Sequence, residues 1–299
     1  MQGRDILLII TIMVIWGVNF VAIKMGASEF DPFVITALRF FFAAFPLVFF
    51  IQRTQVPKRY FIAYGTVFGT GVWGMAACSN SFGLSAGITS ILMQFDVLTS
   101  VLVGALIYKE KITKQMAVGM VIAMVGLTVS IAYTNGNITP VGLIFIFIAS
   151  LCWPLASIVI RQSGSTTPFA FTIWGMVFAP IPLLMLSLLM NGTEGIVTTF
   201  SHWNSHAWFS VLFQAYPTTV FGYWVWNKMT LKYPMALIAP TTLMTTVFGL
   251  IGGYVIYDER LTQVQWVSCA LFLAGIVVVV YPRKIRNTVS VSRSVSTES

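Results

Sequence analysis

Asp96 is an acidic residue inside a long apolar run of the sequence, 84–107. An ionised carboxylate in apolar surroundings is strongly destabilised unless a proton, a cation or water satisfies it. Asp96 can therefore exchange protons with a water-filled cavity or bind an ammonium group; the alternative is a protonated carboxyl group bonded to a neighbouring helix. Thr99 extends the same polar face at helical spacing, whereas a regular helix turns Gln94 about 200° away, so Gln94 and Asp96 need not face one cavity.

Trp16 and Asn19 lie one helical turn apart in the first apolar run, and Trp153 stands in a matching place later in the chain. Indole rings stack on cations and apolar groups, and an amide both donates and accepts hydrogen bonds, so these three can line a ligand cavity. Interhelical packing is the alternative. Arg39, in the second apolar run, can bind a carboxylate with two parallel hydrogen bonds or extend its charged end to an aqueous surface.

Aromatic and hydroxyl side chains mark two further apolar runs, 207–230 and 235–257. Tyr216 and Tyr223 belong to an aromatic face with three- and four-residue spacing, and Thr242 belongs to a group of threonines. All three are candidates for contact with a ligand, although threonine hydroxyls often bond the preceding turn of their own helix.

Residues for metal or covalent chemistry are few. The three cysteines lie in apolar segments without metal-ligand spacing, and the two histidines, His202 and His206, share one polar loop. The sequence contains no phosphate-binding Walker motif. We therefore expect no metal, no cofactor and no ATP-driven step in this chain. We also expect that it is not an enzyme, because a catalytic site needs several such groups together.

The composition decides which class of protein must position these residues. The chain has 299 residues, of which 57% are hydrophobic and 9% charged, and its mean hydropathy is +0.86. Soluble domains are about 25% charged, so a soluble enzyme, a disordered protein and a nucleic-acid binder are poor interpretations. The net charge of +8 lies in short connections, where it indicates membrane topology.

Ten apolar stretches follow one another, and each has close to the 20 residues that cross a hydrocarbon core of about 30 Å. They are too long and too uniformly apolar for barrel strands. We therefore predict an all-α integral membrane protein with ten transmembrane helices, at 6–25, 33–51, 60–80, 84–107, 115–133, 139–160, 168–190, 207–230, 235–257 and 263–281. A longer connection is predicted at Asn191–His206, and a disordered cytoplasmic tail at 283–299.

The distribution of basic residues predicts the orientation. With a cytoplasmic N-terminus and ten crossings, the cytoplasmic segments hold 14 of the 17 Lys and Arg residues, all except Lys24, Arg39 and Arg260. Because cytoplasmic loops are enriched in Lys and Arg, we predict a multi-pass protein of the inner (cytoplasmic) membrane with both termini in the cytoplasm.

The second half of the sequence repeats features of the first. The segment Tyr108–Thr113 matches Tyr257–Thr262 at an offset of 149, which also pairs Gly104 with Gly253; Trp16 pairs with Trp153, and Lys24 with Arg161, at an offset of 137. Each half, 5–134 and 139–282, contains five predicted spans, an odd number, so the halves must be inserted in opposite directions. Inverted repeats are typical of secondary transporters, although a duplication kept only for folding is the alternative.

Three motifs resemble a known family. Trp16-Gly17-Val18-Asn19-Phe20, Leu38-Arg39-Phe40 and the Glu-Lys/Arg-Ile/Leu-Thr segments that follow spans four and nine are similar to those of EamA-type transporters, in the drug/metabolite transporter superfamily. The resemblance covers residues 5–281 and implies a ten-helix inverted-repeat exporter of amino acids, related metabolites or drugs. Exporters of cysteine and O-acetylserine are the most similar group. Asp96 departs from this pattern, since the resemblance implies an uncharged polar residue there.

The sequence therefore predicts a proton-coupled secondary active transporter that exports amino acids or related small metabolites across the inner membrane by alternating access. Its expected partners are a small-molecule substrate, protons and the lipid bilayer, without nucleic acid, and it is expected to be a monomer or homodimer. A drug or toxic-compound exporter of the same fold is the alternative, and a channel is a more distant one.

Overall fold

A computed structural model describes residues 2–109, 111–133, 138–233 and 238–280; the predicted tail at 283–299 lies outside this part. The described residues are helical and contain no strand. We group the helices into ten in chain order: α1 (Gly3–Glu29), α2 (Pro32–Val48), α3 (Lys58–Ser81), α4 (86–108), α5 (Lys114–Ala132), α6 (Pro140–Ser163), α7 (Pro168–Ser201), α8 (205–232), α9 (239–257) and α10 (Gln263–Val280).

Six of the helices in the described part are long and apolar enough to cross a membrane: α1, α3, α4, α6, α7 and α10. Apolar side chains cover much of the outside of the bundle, including Phe49, Leu106, Leu189 and Val267. An outer surface of this kind is solvated by lipid tails rather than by water. The chain is a multi-pass membrane protein.

Several helices begin where the sequence supplies a capping side chain. Asp31 precedes α2 and accepts hydrogen bonds from the N–H groups of Phe33 (2.8 Å) and Val34 (3.1 Å). Thr113 does the same for α5, and Pro140 stands at the start of α6, where a missing N–H is harmless. These caps explain why the predicted and observed starts agree closely.

The predicted connection at Asn191–His206 is wrong over most of its length. Gly192 interrupts the helix with φ 65° and ψ −166°, but helical structure then resumes and α7 ends at Ser201. The polar residues that suggested a loop are hydrogen-bonded to the cap of α2: Asn191 Nδ2 donates to Asp31 Oδ2 (2.8 Å), and the Asp31 N–H donates to Thr199 Oγ1 (3.1 Å).

α3, α4 and α8 depart from regular α geometry near their middles. α4 consists of two segments, Ala86–Met93 and Phe95–Tyr108, separated at Gln94. α3 contains a π-helical segment at Gly65–Gly74, and α8 contains another at Gln214–Phe221. Such interruptions are frequent at functional sites because they redirect side chains and free backbone carbonyls.

The helices pack in a regular pattern of neighbours. α1 packs against α8 and α9, whereas α6 packs against α3 and α4; the pairs α2–α7, α4–α9 and α5–α10 also lie in contact. Glycines permit the closest approaches. At Gly126, for example, an added Cβ would lie 2.7 Å from the carbonyl oxygen of Ser268 on the facing helix.

Candidate substrate cavity

A cavity of about 790 Å³ lies within the bundle. Its wall is formed by side chains from every helix of the bundle except α2 among the described residues. Cavities that hold small molecules typically have volumes of about 300–1,000 Å³ and a mostly apolar wall with a few polar groups. The volume and the lining of this cavity are therefore typical of a site for a small molecule.

Aromatic rings form most of the apolar wall. The ring centroid of Trp16 lies 5.7 Å from that of Tyr223 and 5.5 Å from that of Trp226, whereas Phe68 lies 5.8 Å from Trp153 and 5.9 Å from Tyr223. These separations are typical of favourable aromatic contacts. The resulting chain of rings presents faces that can hold either a cation or an apolar group.

The indole of Trp16 is fixed by the irregular part of α8. Its Nε1 donates to the carbonyl oxygen of Thr218 at 3.0 Å, a residue of the π-helical segment. In a regular α-helix this carbonyl would accept from the N–H four residues further on. The π-helical segment thus helps to orient an aromatic side chain of the cavity wall.

Several polar side chains of the wall have atoms without a hydrogen-bond partner in the part of the protein that the structure describes. They include both amide atoms of Asn19, Nε2 of Gln94, Oδ1 of Asp96 and Oγ1 of Thr218. Buried polar atoms are normally hydrogen-bonded, and an unpaired one carries a free-energy cost. Donors and acceptors are thus available here for a ligand or for water.

Gln94 and Asp96 both line this cavity, although a regular helix would turn them apart. The break at Gln94 explains the difference, because the angular spacing of an unbroken helix no longer applies across it. Sequence periodicity alone does not reveal that the two side chains share one cavity.

Seven of the ten predicted site residues lie in the wall: Trp16, Asn19, Gln94, Asp96, Trp153, Tyr223 and Thr242. Thr99, Arg39 and Tyr216 are not among the described residues that line it. The Thr99 hydroxyl donates to the carbonyl oxygens of Ser150 (2.9 Å) and Asp96 (3.0 Å), and Tyr216 is 39% exposed on the outside of the bundle.

Arg39 is completely buried behind the wall. Its Nη1 donates to Gln214 Oε1 at 3.2 Å, and its Nη2 donates to Thr219 Oγ1 at 3.1 Å. The guanidinium carbon lies 4.2 Å from the ring centroid of Trp73, which is itself a wall residue. Arg39 therefore supports the wall through Trp73 and does not contact the cavity directly.

The sequence analysis did not single out Tyr64, Phe68 or Trp73, which the structure places in the wall. All three belong to α3, at or inside its π-helical segment. The available signal was the cluster of glycines at positions 65, 69, 71 and 74 among these aromatic residues.

The cavity is open at one end and closed at the other. Its lining includes Lys111, Ile112 and Val280, which lie at helix ends, and Lys111 and Ile112 are exposed. At the opposite end the first half of α4 packs against α1 and α9. Among the described residues, no group of three His, Cys, Asp or Glu side chains is arranged to hold a metal ion.

Comparisons with known proteins agree with this architecture. A probable amino-acid metabolite efflux pump of Salmonella typhimurium is 29% identical over 98% of this chain and 100% of that protein. A protein of the same name from Escherichia coli is 28% identical over 97% and 99% of the two chains. An uncharacterized transporter of Bacillus subtilis is 23% identical over 90% and 94%.

A solved structure, described only as a protein crystal structure, superposes with a TM-score of 0.61 at 17% sequence identity, over 93% of this chain and 96% of that one. This likeness concerns the fold alone. The model of the EamA-like transporter family matches residues 4–132 and 140–281. With nearly the whole length matched, the chain belongs to the EamA-like transporter family.

Proposed function

We propose that this protein is a secondary active transporter that exports amino acids or related small metabolites across the inner membrane. The main support is the carboxylate of Asp96, which lies in the wall of a cavity of about 790 Å³ and whose Oδ1 has no partner in the described structure. Two relatives named as probable amino-acid metabolite efflux pumps support this substrate class. The closed end of the cavity favours a carrier, because a channel needs a continuous pore.

The transport mechanism we propose is alternating access between two inverted repeats, 5–134 and 139–282. Two backbone features that recur at the sequence offset of 149 support the repeat. The π-helical segments begin at Gly65 and Gln214. The positive-φ residues Lys109 (54°) and Asp258 (50°) each donate their N–H to a glycine carbonyl, that of Gly104 or Gly253.

The packing pattern supports the same proposal. Under the repeat, α1 corresponds to α6, α8 to α3 and α9 to α4. The contacts of α1 with α8 and α9 then correspond to those of α6 with α3 and α4. Three further contacts each join a helix to its own counterpart in the other repeat: α2–α7, α4–α9 and α5–α10. Rocking of one repeat against the other would expose a central site to each side in turn.

The orientation we propose places both termini and the open end of the cavity in the cytoplasm. The concentration of Lys and Arg in the segments assigned to that side supports it. A cavity open to the cytoplasm suits export, since the substrate can then enter from the cell interior.

We propose two roles for Asp96 and favour the first. If Asp96 exchanges protons, inward proton movement can drive outward movement of the substrate. If instead it binds the substrate's ammonium group, the attraction contributes directly to affinity. In both cases Asn19 and Gln94 are available to hold the polar remainder of the substrate, and the aromatic wall accommodates its apolar part.

The aromatic wall also supports a second candidate, export of a lipophilic organic cation. Rings such as those of Trp16 and Tyr223 attract cations, and Asp96 supplies the opposite charge. An amino acid additionally presents a carboxylate, so competition by amino acids and by monovalent aromatic amines distinguishes the two substrate classes.

The test is uptake of labelled amino acids into inverted membrane vesicles, with and without a pH gradient. The variants are Asp96→Asn and, as a matched control that also removes one carboxylate, the exposed Glu194→Gln. Proton coupling through Asp96 predicts that Asp96→Asn abolishes the effect of the gradient and spares exchange of internal for external substrate. Ammonium binding predicts a rise in KM of about tenfold or more, because a hydrogen bond to a charged group contributes about 1.5–3 kcal/mol.

Wild-type rates and affinity for Asp96→Asn in both conditions would reject either role for this residue. Flux that does not saturate with substrate would reject the carrier mechanism itself. Glu194→Gln is expected to behave as the wild type in each assay, which separates the effect of Asp96 from a general change in surface charge.

A further inference from the structure

A cluster of charged and backbone groups lies at the closed end of the cavity. Glu259 follows α9, and its carboxylate is bound by two other helices. Oε1 accepts from Lys24 Nζ (2.7 Å) and from the N–H of Ala86 (2.7 Å), and Oε2 accepts from the N–H of Gly87 (2.8 Å). The side chain of Glu259 is 9% exposed, so one cation and two amide donors hold a nearly dry carboxylate.

The cluster joins three helices that come from both halves of the chain. Lys24 belongs to α1, and Ala86 and Gly87 form the start of α4, where the backbone N–H groups and the helix dipole favour an anion. The ring of Tyr257, the last residue of α9, lies 4.4 Å from Lys24 Nζ. Movement of α9 away from α1 and α4 would have to separate all these contacts together.

The backbone leaves just enough room for this carboxylate. A Cβ atom on Gly87 would lie 3.2 Å from Oε2 of Glu259, and one on Gly253 would overlap the same carboxylate. Two helices therefore carry a glycine at the point where the carboxylate enters between them. A side chain at either glycine would crowd the Glu259 carboxylate in this position.

Close packing continues from Glu259 towards the cavity. The Thr246 hydroxyl of α9 donates to the carbonyl oxygen of Ser90 on α4 at 3.3 Å. A Cβ on Gly17 would lie 2.9 Å from the N atom of Gly249, so α1 and α9 are also in close contact. The three helices thus form a continuous barrier between the Glu259 cluster and the cavity.

The open mouth is at the other end of the same helix. Ala86 begins α4, whereas Lys111 follows its end and lines the mouth. At 1.5 Å per residue, the 22 residues of Ala86–Ile107 would separate the two ends by about 33 Å in an unbroken helix, and the break at Gln94 shortens this separation. The Glu259 cluster therefore lies at the end of the bundle opposite the one where the cavity is accessible.

We propose that Glu259 and Lys24 are positioning residues for transport, which hold the cavity closed at this end while it is open at the other. Release of substrate at the closed end requires the Glu259 carboxylate to leave Lys24 and the start of α4. Removing this interaction shifts the protein towards the state that is open at the Glu259 end. This inference rests on the proposed alternating-access function.

A neighbouring ion pair provides a matched control. Asp258 Oδ1 accepts from Arg260 Nε at 3.0 Å, but these side chains are 70% and 74% exposed. An exposed ion pair contributes little to stability because water screens it, and Asn tolerates the positive φ of position 258 well. Asp258→Asn therefore removes one carboxylate from the same loop without touching the barrier.

The experiment measures access to the cavity directly. Met93→Cys, in a background with the three native cysteines replaced by alanine, places a thiol in the cavity wall about 9 Å along α4 from Gly87. A membrane-impermeant maleimide is applied from the Glu259 face, and in vesicles of opposite orientation from the other face. Glu259→Gln, Lys24→Met and Asp258→Asn are compared in this background, each after its size-exclusion profile shows folded protein.

We expect Glu259→Gln and Lys24→Met to accelerate labelling from the Glu259 face by about tenfold and to slow labelling from the other face, because a charge-assisted hydrogen bond is lost only in the closed state. Lys24→Met keeps both amide contacts of Glu259, so it remains informative if Glu259→Gln does not fold. A general loosening of the bundle would accelerate labelling from both faces.

Unchanged labelling in both variants, or equal acceleration from both faces, would overturn the proposal. Asp258→Asn is expected to label as the parent does, and an acceleration equal to that of Glu259→Gln would also count against a specific role. The assay requires no substrate, so the gating proposal can hold even if amino-acid export fails, and can fail while export is observed.

Discussion

Asp96 differs from the other described acidic side chains in its surroundings. Glu259 is bound by Lys24 and two backbone amides, Asp31 caps α2, and Asp5 accepts from Lys232 Nζ at 2.7 Å. Asp96 instead lies in the cavity wall with Oδ1 unpaired in the described structure. A carboxylate whose partner is supplied by water or a ligand can change partner during a transport cycle, and a carboxylate that caps a helix cannot do so without loosening the fold.

Arg39 leads to a prediction at the same scale. Because Arg39 contacts Gln214, Thr219 and the ring of Trp73 behind the wall, Arg39→Gln should disturb the wall without removing a substrate contact. We expect transport of a carboxylate-bearing substrate and of its amide to fall by the same factor, with less folded protein. Competitive uptake of the two compounds measures this. A selective loss of the carboxylate compound would instead indicate direct binding by Arg39.

The sequence predicted the positions of single residues best where they lie in regular helices. The spacing of one helical turn indicated Trp16 and Asn19, and the sequence repeat indicated Trp153. All three line the cavity. Tyr216 and Tyr223 were assigned to one face by α-helical spacing, but the π-helical segment at Gln214–Phe221 has a wider turn. The rotation it introduces leaves Tyr216 on the outside and Tyr223 in the wall.

At the scale of elements, the periodicity of the sequence does not predict where the helices are interrupted. Apolar runs and capping residues predicted the number and approximate ends of the helices, because those depend on local sequence and on the width of the bilayer. Tertiary contacts determine three features that local sequence does not indicate: the break at Gln94, the two π-helical segments and the continuation of α7 beyond Gly192. In α7 the deciding contact is the Asp31 carboxylate, which receives the side-chain amide of Asn191.

Two glycines with positive φ give a prediction about elements. Gly164 has φ 65° and ψ 17°, which other residues adopt at a cost of about 1–2 kcal/mol, whereas Gly192 has φ 65° and ψ −166°, a region that is almost restricted to glycine. A Cβ meets nothing within 4 Å at either site. Gly192→Ala should therefore lower the thermal unfolding temperature in detergent more than Gly164→Ala. The reverse order, or equal shifts, would contradict this account of α7.

At the scale of the whole molecule, the bundle separates a packed end from an accessible one. The packed end contains the Glu259 cluster and the close approach of α1, α4 and α9, and the accessible end contains Lys111. The ten predicted spans, the proposed orientation and the proposed repeat were all inferred from hydropathy, charge and sequence offsets. Which end is closed could not be inferred in this way, because closure depends on side-chain contacts between distant parts of the chain.

The orientation can be tested on the intact protein. In the background without native cysteines, a cysteine at Asp258 should react with an impermeant maleimide in intact cells, because the proposed topology puts that loop outside. A cysteine at Lys58, in a segment assigned to the cytoplasm, should react only after the membrane is made permeable. The opposite pattern would reverse the topology, and with it the assignment of the open end to the cytoplasm.

The two π-helical segments also determine how this chain tolerates insertions and deletions. A π-helical turn contains more residues than an α-helical turn, so loss of one residue from Gly65–Gly74 would permit a regular helix there. The backbone hydrogen bonds would improve, yet every side chain beyond the deletion would be rotated by about 100°, and Trp73 would leave its place beside Arg39. A variant shortened by one residue in this segment can therefore be the more stable protein and still have lost its cavity.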